Sequence, residues 1–399
     1  EMFPAEFITA DPWMCMLHAR SMWATGKPKE AATCLDAAER ALVNLKSTGA
    51  SLDEPQMVNL PAELQSLRAL FTLHANDPRS VIELANQALA TAPQNADRAR
   101  SIAYLALQAA YRNLGELDKA NQSSALGLTH ARLAGDSSTA ASLFESQGVN
   151  LLIQGRLRQA AQAYREALTY AASQGELDFP TYCLIRLRLA DIHYQWNQLD
   201  DSEALIKHGL EQADLLGNQW AMVYGRYLRC LVQAARGDRA GLRGTIREIG
   251  NILPKMEGSY YAEDVTRFSE LALAHFGIRP YQGLEARIEL DGIPPDQLMK
   301  QFENLLFRLR LQIQANILEG IGENLARLEA FAAQHSHGLW LIHILVLQVM
   351  LLRKQGERGR ALACLRRALA LAEPEGYMRV FLDRGELMHD LLKALPAGR

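Results

Sequence analysis

At 399 residues the chain exceeds what one compact core ordinarily holds, which leaves several domains or a stack of units that each pack only on their neighbours. Hydrophobic residues make up 49%, enough for a continuous core, and charged residues 22%, as in an ordinary soluble protein. A net charge of −3 supplies no basic field, which argues against direct nucleic-acid contact by this chain. Five cysteines at positions 15, 34, 183, 230 and 364 form no CxxC pair, and read as buried, reduced thiols of a cytoplasmic protein. The stretch Glu1 to Glu6 has neither a basic nor an apolar region of a signal peptide. Apolar runs are interrupted before the ~20 residues of a membrane span. The most apolar, Leu339 to Leu352, holds His343 and Gln348 and reads as a buried helix.

In chain order, a phrase recurs: a helix, a tight Gly or Asn turn, then a second helix opening with a charged residue and Ala. Its turns fall at Gly26, Asn76, Gly115, Gly155, Asn197, Gly237, Gly277, Gly320 and Gly356, at steps of 50, 39, 40, 42, 40, 40, 43 and 36. Gly takes the left-handed conformation that ends a helix, and Asn tolerates it. Ala31, Ala120, Ala160 and Ala361 follow the turns and allow two helices to approach closely. Before the turns, Tyr104, Leu107 and Tyr111, then Phe144, Gly148 and Leu151, then Leu189 and Ala190, lie at helical spacing on one face. The link from Asn44 to Pro61 accounts for the first long step. Residues 131–138 and 171–180 lengthen the connections between hairpins, each ending at a Ser or Pro able to start a helix. Proline and glycine at Pro280, Gly283, Gly292, Pro294 and Pro295 predict an irregular joint over 277–296, read as a hinge or as one degenerate repeat. The expected fold is all-α: a right-handed superhelical solenoid of about nine helical hairpins covering 1–399, with a terminal cap at 374–395.

This pattern resembles the tetratricopeptide repeat, with a period of about 40 residues rather than the standard ~34. The ends carry a more specific likeness. The stretch Ala368 to Gly385, containing Glu373-Pro-Glu-Gly-Tyr377, and the following Glu386 to Leu392 resemble the close of the solenoid in large ATP-binding LuxR-type transcription regulators, the MalT-like family. Pro4 to Phe7, Asp11 to Trp13 and Thr25 to Ala31 resemble the start of that solenoid. Pro374 and Gly376 should stop the last long helix. Tyr377, Val380, Phe381 and Leu382 should fold back on the flank of the final hairpin, and Leu387, Met388, Leu391 and Leu392 should form one apolar stripe.

The residues for family chemistry outside the solenoid do not occur. Gly26-Lys27 is followed by Pro28 and lacks the preceding glycine of a Walker A loop, and no helix-turn-helix follows Leu392. With no Met at position 1, the chain reads as a solenoid from a longer regulator. No cofactor is expected in it. His335 and His337 lie in a polar link without further metal ligands. Asp191, His193 and Tyr194 read as groove wall rather than an acid/base pair. Asp200 and Asp201 suit a helix N-terminus. Arg358, Arg360, Arg366 and Arg367 read as a solvated face, or as a contact to a DNA-binding module.

A ligand face is expected on the inner wall, built by first helices: Arg112, Asn113, Glu145, Asp191, Tyr194, Gln195, Tyr224, Tyr227, Arg310, Gln314 and His343. Tyrosines beside Arg, Asn and Asp can stack on a ligand and hydrogen-bond it. The resemblance implies a non-enzymatic sensor that receives a small-molecule inducer or a regulatory protein and relays that state to ATPase and DNA-binding modules, with no membrane contact and with room for self-association. The second reading is a scaffold for a peptide or protein partner, although the inner positions contain no lysine clamp.

Overall fold

A computed structural model describes residues 11–24, 27–47, 55–75, 77–175, 180–252, 284, 286, 288–290, 293 and 295–395. Among these residues every regular element is helical. Besides a one-turn helix at Pro55–Val58 and 3-10 turns at Leu73–Ala75 and Glu373–Glu375, they are in chain order α1 (Pro12–Ala24), α2 (Pro28–Ser47), α3 (Leu60–Thr72), α4 (Pro78–Thr91), α5 (Asp97–Asn113), α6 (Leu117–Leu133), α7 (Ser137–Ile153), α8 (Leu157–Gln174), α9 (Pro180–Gln195), α10 (Leu199–Leu216), α11 (Gln219–Ala235), α12 (Arg239–Ile252), α13 (Pro295–Gln314), α14 (Ile321–Gln334), α15 (Gly338–Lys354), α16 (Arg358–Ala372), α17 (Arg379–Leu382) and α18 (Glu386–Lys393). The first sixteen succeed one another as helix–turn–helix pairs, the arrangement of an all-α helical solenoid. None of the helices is long and apolar enough to cross a membrane.

The turns follow from backbone chemistry. Gly115, Gly155, Asn197, Gly237 and Gly356 all have positive φ, between 60° and 80°. In each case the next N–H reaches back across the helix end, as in Glu116 N to Tyr111 O at 2.9 Å and Glu357 N to Leu352 O at 2.8 Å. This closure satisfies carbonyls that the helix end leaves open. The turn assigned to Gly320 is different. Asn316, φ 63°, ends α13, and Ile317 N bonds Gln312 O at 2.9 Å, while Gly320 caps the start of α14. Asn substitutes for glycine because its short polar side chain tolerates the left-handed region. Gly26, Asn76 and Gly277 lie outside the described residues. The alanines after the turns, Ala31, Ala120, Ala160 and Ala361, are fully buried.

The chain divides into two compact units, residues 1–147 with 173–176 and 258–261, and residues 148–172, 177–257 and 262–399. The first packs Met16, Leu35, Leu60, Leu67 and Ile102 into one core. Asp136, rather than a serine, caps α7: its carboxylate accepts Thr139 N at 3.1 Å and pairs with Arg20 at 3.2 Å. Cys34 is half-buried and lies 3.6 Å from His18 Nδ1, so not every thiol is core.

The second unit holds two main cores. Cys183, Leu187, Ala190, Ile206 and Leu228 form one. Phe302, Leu309, Leu325, Trp340 and Ile344 form the other, with the Phe302 and Trp340 rings stacked at 3.9 Å. Much of the expected 277–296 joint lies outside the described residues. Its described part ahead of α13 is non-helical and anchored: Ile288 is buried, its carbonyl accepts Asn324 Nδ2 at 2.9 Å, and Leu284 O accepts Gln312 Nε2 at 2.8 Å.

Two local expectations need correction. His337 does not sit in a polar link; it is fully buried, edge-on to Trp340 at 4.3 Å, because it begins the most apolar helix. In the last segment Tyr377, Val380, Phe381, Met388 and Leu391 are buried, but Leu382 and Leu387 are about two-fifths exposed, at 44% and 40%. Helices α17 and α18 pack on α15, and α17 also on α9, so only one side of each short helix is covered.

Candidate functional site

In the second unit the chain returns to itself over nearly two hundred residues. Arg158 donates from its N–H to Glu375 Oε2 and from Nε to Pro374 O, both at 2.9 Å. Trp196 Nε1 donates to Glu375 O at 2.9 Å, and Met378 N to Gln195 O at 2.8 Å. Gly338 lies so close to the α7–α8 turn that a Cβ added to it would stand 2.3 Å from Gln154 O. The segment from Glu373 to Lys393 therefore serves as a strap across α9, closing a polar face built from α9, α11, α13 and α15.

On that face Tyr224 Oη donates to Asp191 Oδ2 at 3.0 Å, with the Arg188 guanidinium 4.8 Å from the Tyr224 ring centre. Tyr194 Oη donates to Asp383 Oδ2 at 2.8 Å, and Arg379 both bonds Asp383 and lies over the Tyr194 ring at 5.2 Å. Burial, with Asp383 second, raises the Tyr194 phenol, and burial, with Asp191 second, raises the Tyr224 phenol well above its usual value. Burial also raises Asp191, against the pull of Tyr224 and Arg188. Tyr227 is pushed up to about 12 by burial, opposed by Arg310. His343 is pushed down to about 3 by burial, then by Arg384 and Arg310. Asp191, Tyr227, Arg310, His343 and Arg384 nevertheless keep part of their surface accessible. Groups that water reaches but protein surrounds are in position to meet a ligand that enters and sheds its own water.

Of the expected inner-wall residues, Asp191, Tyr194, Gln195, Tyr224, Tyr227, Arg310 and His343 share this enclosure, linked by hydrogen bonds or by their mutual electrostatics. Arg112, Asn113 and Glu145 belong to the first unit, on α5 and α7, and are half-buried there. Gln314 is exposed at the last residue of α13. Asp191 and His193 do not form a pair: Asp191 meets Tyr224, while His193 Nδ1 lies 3.7 Å from Asp201. Residues two apart on a helix do not face each other. Arg188, Tyr377, Arg379, Asp383 and Arg384 are additional members, and Glu303 of α13, exposed to solvent, acts on them from the edge. Arg188 is three before Asp191 and Glu303 seven before Arg310, so helical spacing alone would have found both. The four strap residues carried no comparable signal. The arginines at 358, 360, 366 and 367 are exposed, and Arg367 pairs with Glu329.

The first unit holds a separate cavity of about 430 Å³, lined in part by Trp13, Asn59, Glu63 and Arg98. Glu63 is 4% exposed, and its Oε2 has no hydrogen-bond partner. Burial raises its carboxyl to about 7, opposed by Arg98 and Arg20. An acid raised in the fold stabilises it below the unfolded value, and that advantage disappears as pH rises through 7. Glu63→Gln should therefore gain on the order of 1 kcal/mol over the native chain at pH 8, and nothing at pH 4, in urea titrations at the two pH values. Equal midpoints for both chains at pH 8 would contradict this.

Stacked helical pairs with a gathered polar inner face define a tetratricopeptide-like repeat region. The family model described as the MalT-like TPR region matches residues 62–397, and the chain belongs to that family. It is 24% identical over 390 residues to the HTH-type transcriptional regulator MalT of Vibrio cholerae serotype O1, covering 96% of this chain and 42% of the relative. It is 25% identical over 407 residues to the protein of the same name from Cronobacter sakazakii, covering 98% of this chain and 42% of the relative. The corresponding Serratia proteamaculans protein is 24% identical over 410 residues, again with 98% and 42% covered. The chain thus spans about two-fifths of the length of these relatives.

Proposed function

We propose that this region is the non-enzymatic sensor of a cytoplasmic transcription regulator. The enclosed face of the second unit receives a small-molecule inducer or a regulatory protein, and the resulting state is relayed to ATPase and DNA-binding modules outside this chain. The observation that carries this reading is the bond from Tyr194 to Asp383, because it joins the polar face to the strap. An occupant that competes for Tyr194, Asp383 or Arg379 changes how firmly the strap is held. A ligand relays its presence only through such a difference in affinity between two arrangements. The MalT-like assignment and the transcription-regulator names of the relatives support the setting.

A thermal-shift screen of metabolites against the chain, with Tyr194→Phe and Tyr224→Phe alongside, tests this. A true inducer at a hundred times its Kd adds about 2.7 kcal/mol, a shift of several degrees, and removal of either hydroxyl should reduce it. Tight capture of one protein partner with no small-molecule shift would favour the scaffold reading, and turnover by the chain would overturn the non-enzymatic one.

A further inference from the structure

Two buried acceptors of the first unit have no donor. Asn59 stands at the N-cap of α3, where an asparagine ordinarily turns its side-chain oxygen onto the first free N–H groups of the helix. Here it caps nothing: its Oδ1 is buried and makes no hydrogen bond. Glu63, four residues on, is almost wholly buried, and its Oε2 is in the same condition. The Glu63 N–H donates to Asn59 O at 3.0 Å, so the two residues are one helical turn apart and share a face. Both line the cavity of about 430 Å³, together with Trp13 of α1 and Arg98 of α5. That volume lies within the range of small-ligand sites.

The charged neighbours are committed elsewhere. Asp136 lies 3.2 Å from Arg20 and 3.7 Å from Arg98. Asp97, the other carboxylate lining the cavity, stands 2.7 Å from His130 Nδ1. The two guanidiniums pull on Glu63 as well, but burial outweighs them and raises its carboxyl to about 7. A carboxyl group so placed requires either a proton of its own or a cation beside it.

We propose that Asn59 and Glu63 form, with Trp13, a site for the primary ammonium group of a small organic amine. An ammonium carries a unit charge and three donors, enough to serve both unmatched oxygens. Its charge takes the place of the proton that Glu63 otherwise holds. A hydroxyl offers one donor for two acceptors, and an amide offers two but leaves the carboxylate uncompensated. The indole of Trp13 adds the attraction of an aromatic face for a cation. Leu133, exposed on the cavity wall, supplies a surface for the apolar body of the amine. All these residues belong to the first unit, so the site stands apart from the enclosed face of the second and does not depend on the sensor reading.

Calorimetric titration of the full chain at pH 8, where Glu63 is ionised, tests this with phenethylamine, phenylalanine and the neutral phenylacetamide. Saturable binding is expected for phenethylamine or phenylalanine. Preference for phenylalanine identifies an amino acid as the source, with Arg98 beside its carboxylate; preference for phenethylamine identifies a simple amine. Glu63→Gln keeps the shape and removes the charge, and should weaken binding roughly tenfold or more. Asn59→Ala should weaken it about threefold. Circular dichroism verifies the fold of each variant. The proposal is overturned if neither amine binds, if phenylacetamide binds as well as the amines, or if folded Glu63→Gln keeps native affinity.

Discussion

Gly338→Ala will lower the unfolding midpoint of the second unit by roughly 5–10 °C, although it adds only a single methyl group. The added Cβ would stand 2.3 Å from Gln154 O and 3.0 Å from Gln154 C, both backbone atoms. Neither can rotate away as a side chain could. Relief requires the start of α15 to withdraw from the α7–α8 turn, and overpacking of this kind costs about 3 kcal/mol. Gly155 faces the same contact from the other side: with φ 78° and Gly338 C at 3.0 Å from its own virtual Cβ, it has no room for a side chain. Alanine in a helix is intrinsically better than glycine by about 1 kcal/mol, so the sign of the result reports the contact, not the propensity. Gly359→Ala is the internal control. It lies in α16 with nothing within 4 Å of its virtual Cβ, and should leave the midpoint unchanged or raise it. Differential scanning calorimetry of the three chains decides the matter. An unaltered midpoint for Gly338→Ala would mean that the return of α15 to the α7–α8 turn does not hold the unit together.

Acid will cost the second unit about 3 kcal/mol through one buried imidazole. His337 is fully buried against Trp340 and Phe331, and neither ring nitrogen has a hydrogen-bond partner. Burial first, and His335 second, lower it from 6.5 to about 4. The sign follows from which state takes the proton. Between pH 6.5 and 4 the unfolded chain protonates this histidine while the folded chain resists. Its contribution to stability is therefore complete above 6.5 and is lost as pH falls through 4. Denaturant titrations from pH 7.5 to 4 should show a fall that is shallower in His337→Asn by up to one proton's worth, about 1.4 kcal/mol per pH unit. Asparagine leaves a buried polar group, so its stability at pH 7.5 should be lower; only the slope is diagnostic. Parallel slopes would show that His337 takes up its proton equally in both states.

How far this fold can be read from the sequence depends on the range of the interaction. The repeat was legible because its signals are local. A left-handed residue closes a helix through contacts within six residues, so Gly115, Gly155, Asn197, Gly237 and Gly356 mark their turns wherever the chain goes next. The misplaced turn at Gly320 shows the limit of a single-letter signal, since Asn316 four residues earlier does the same work. His337 was misread because the residues beside it, Ser336 and Gly338, are those of a loop, while the aromatic neighbours that bury it come from α14 and α15.

The site divides in the same way. Helical spacing is enough to place Asp191, Tyr194 and Gln195 on one helix, and Tyr224 and Tyr227 on another, as candidates for an inner wall. Their convergence with Arg310 and His343, the exclusion of Arg112, Asn113 and Glu145 to another unit, and the addition of Asp383 and Arg384 came from tertiary structure alone. By itself, the sequence determined the helical repeat, its turns and the small residues that let paired helices close up, because each depends on neighbours within a few turns of chain. Which inner positions meet, and that a strap near residue 380 completes their enclosure, was decided by the return of the chain upon α9 and the α7–α8 turn. Small rotations at successive hairpins add up to that return, and no local pattern of residues records their sum.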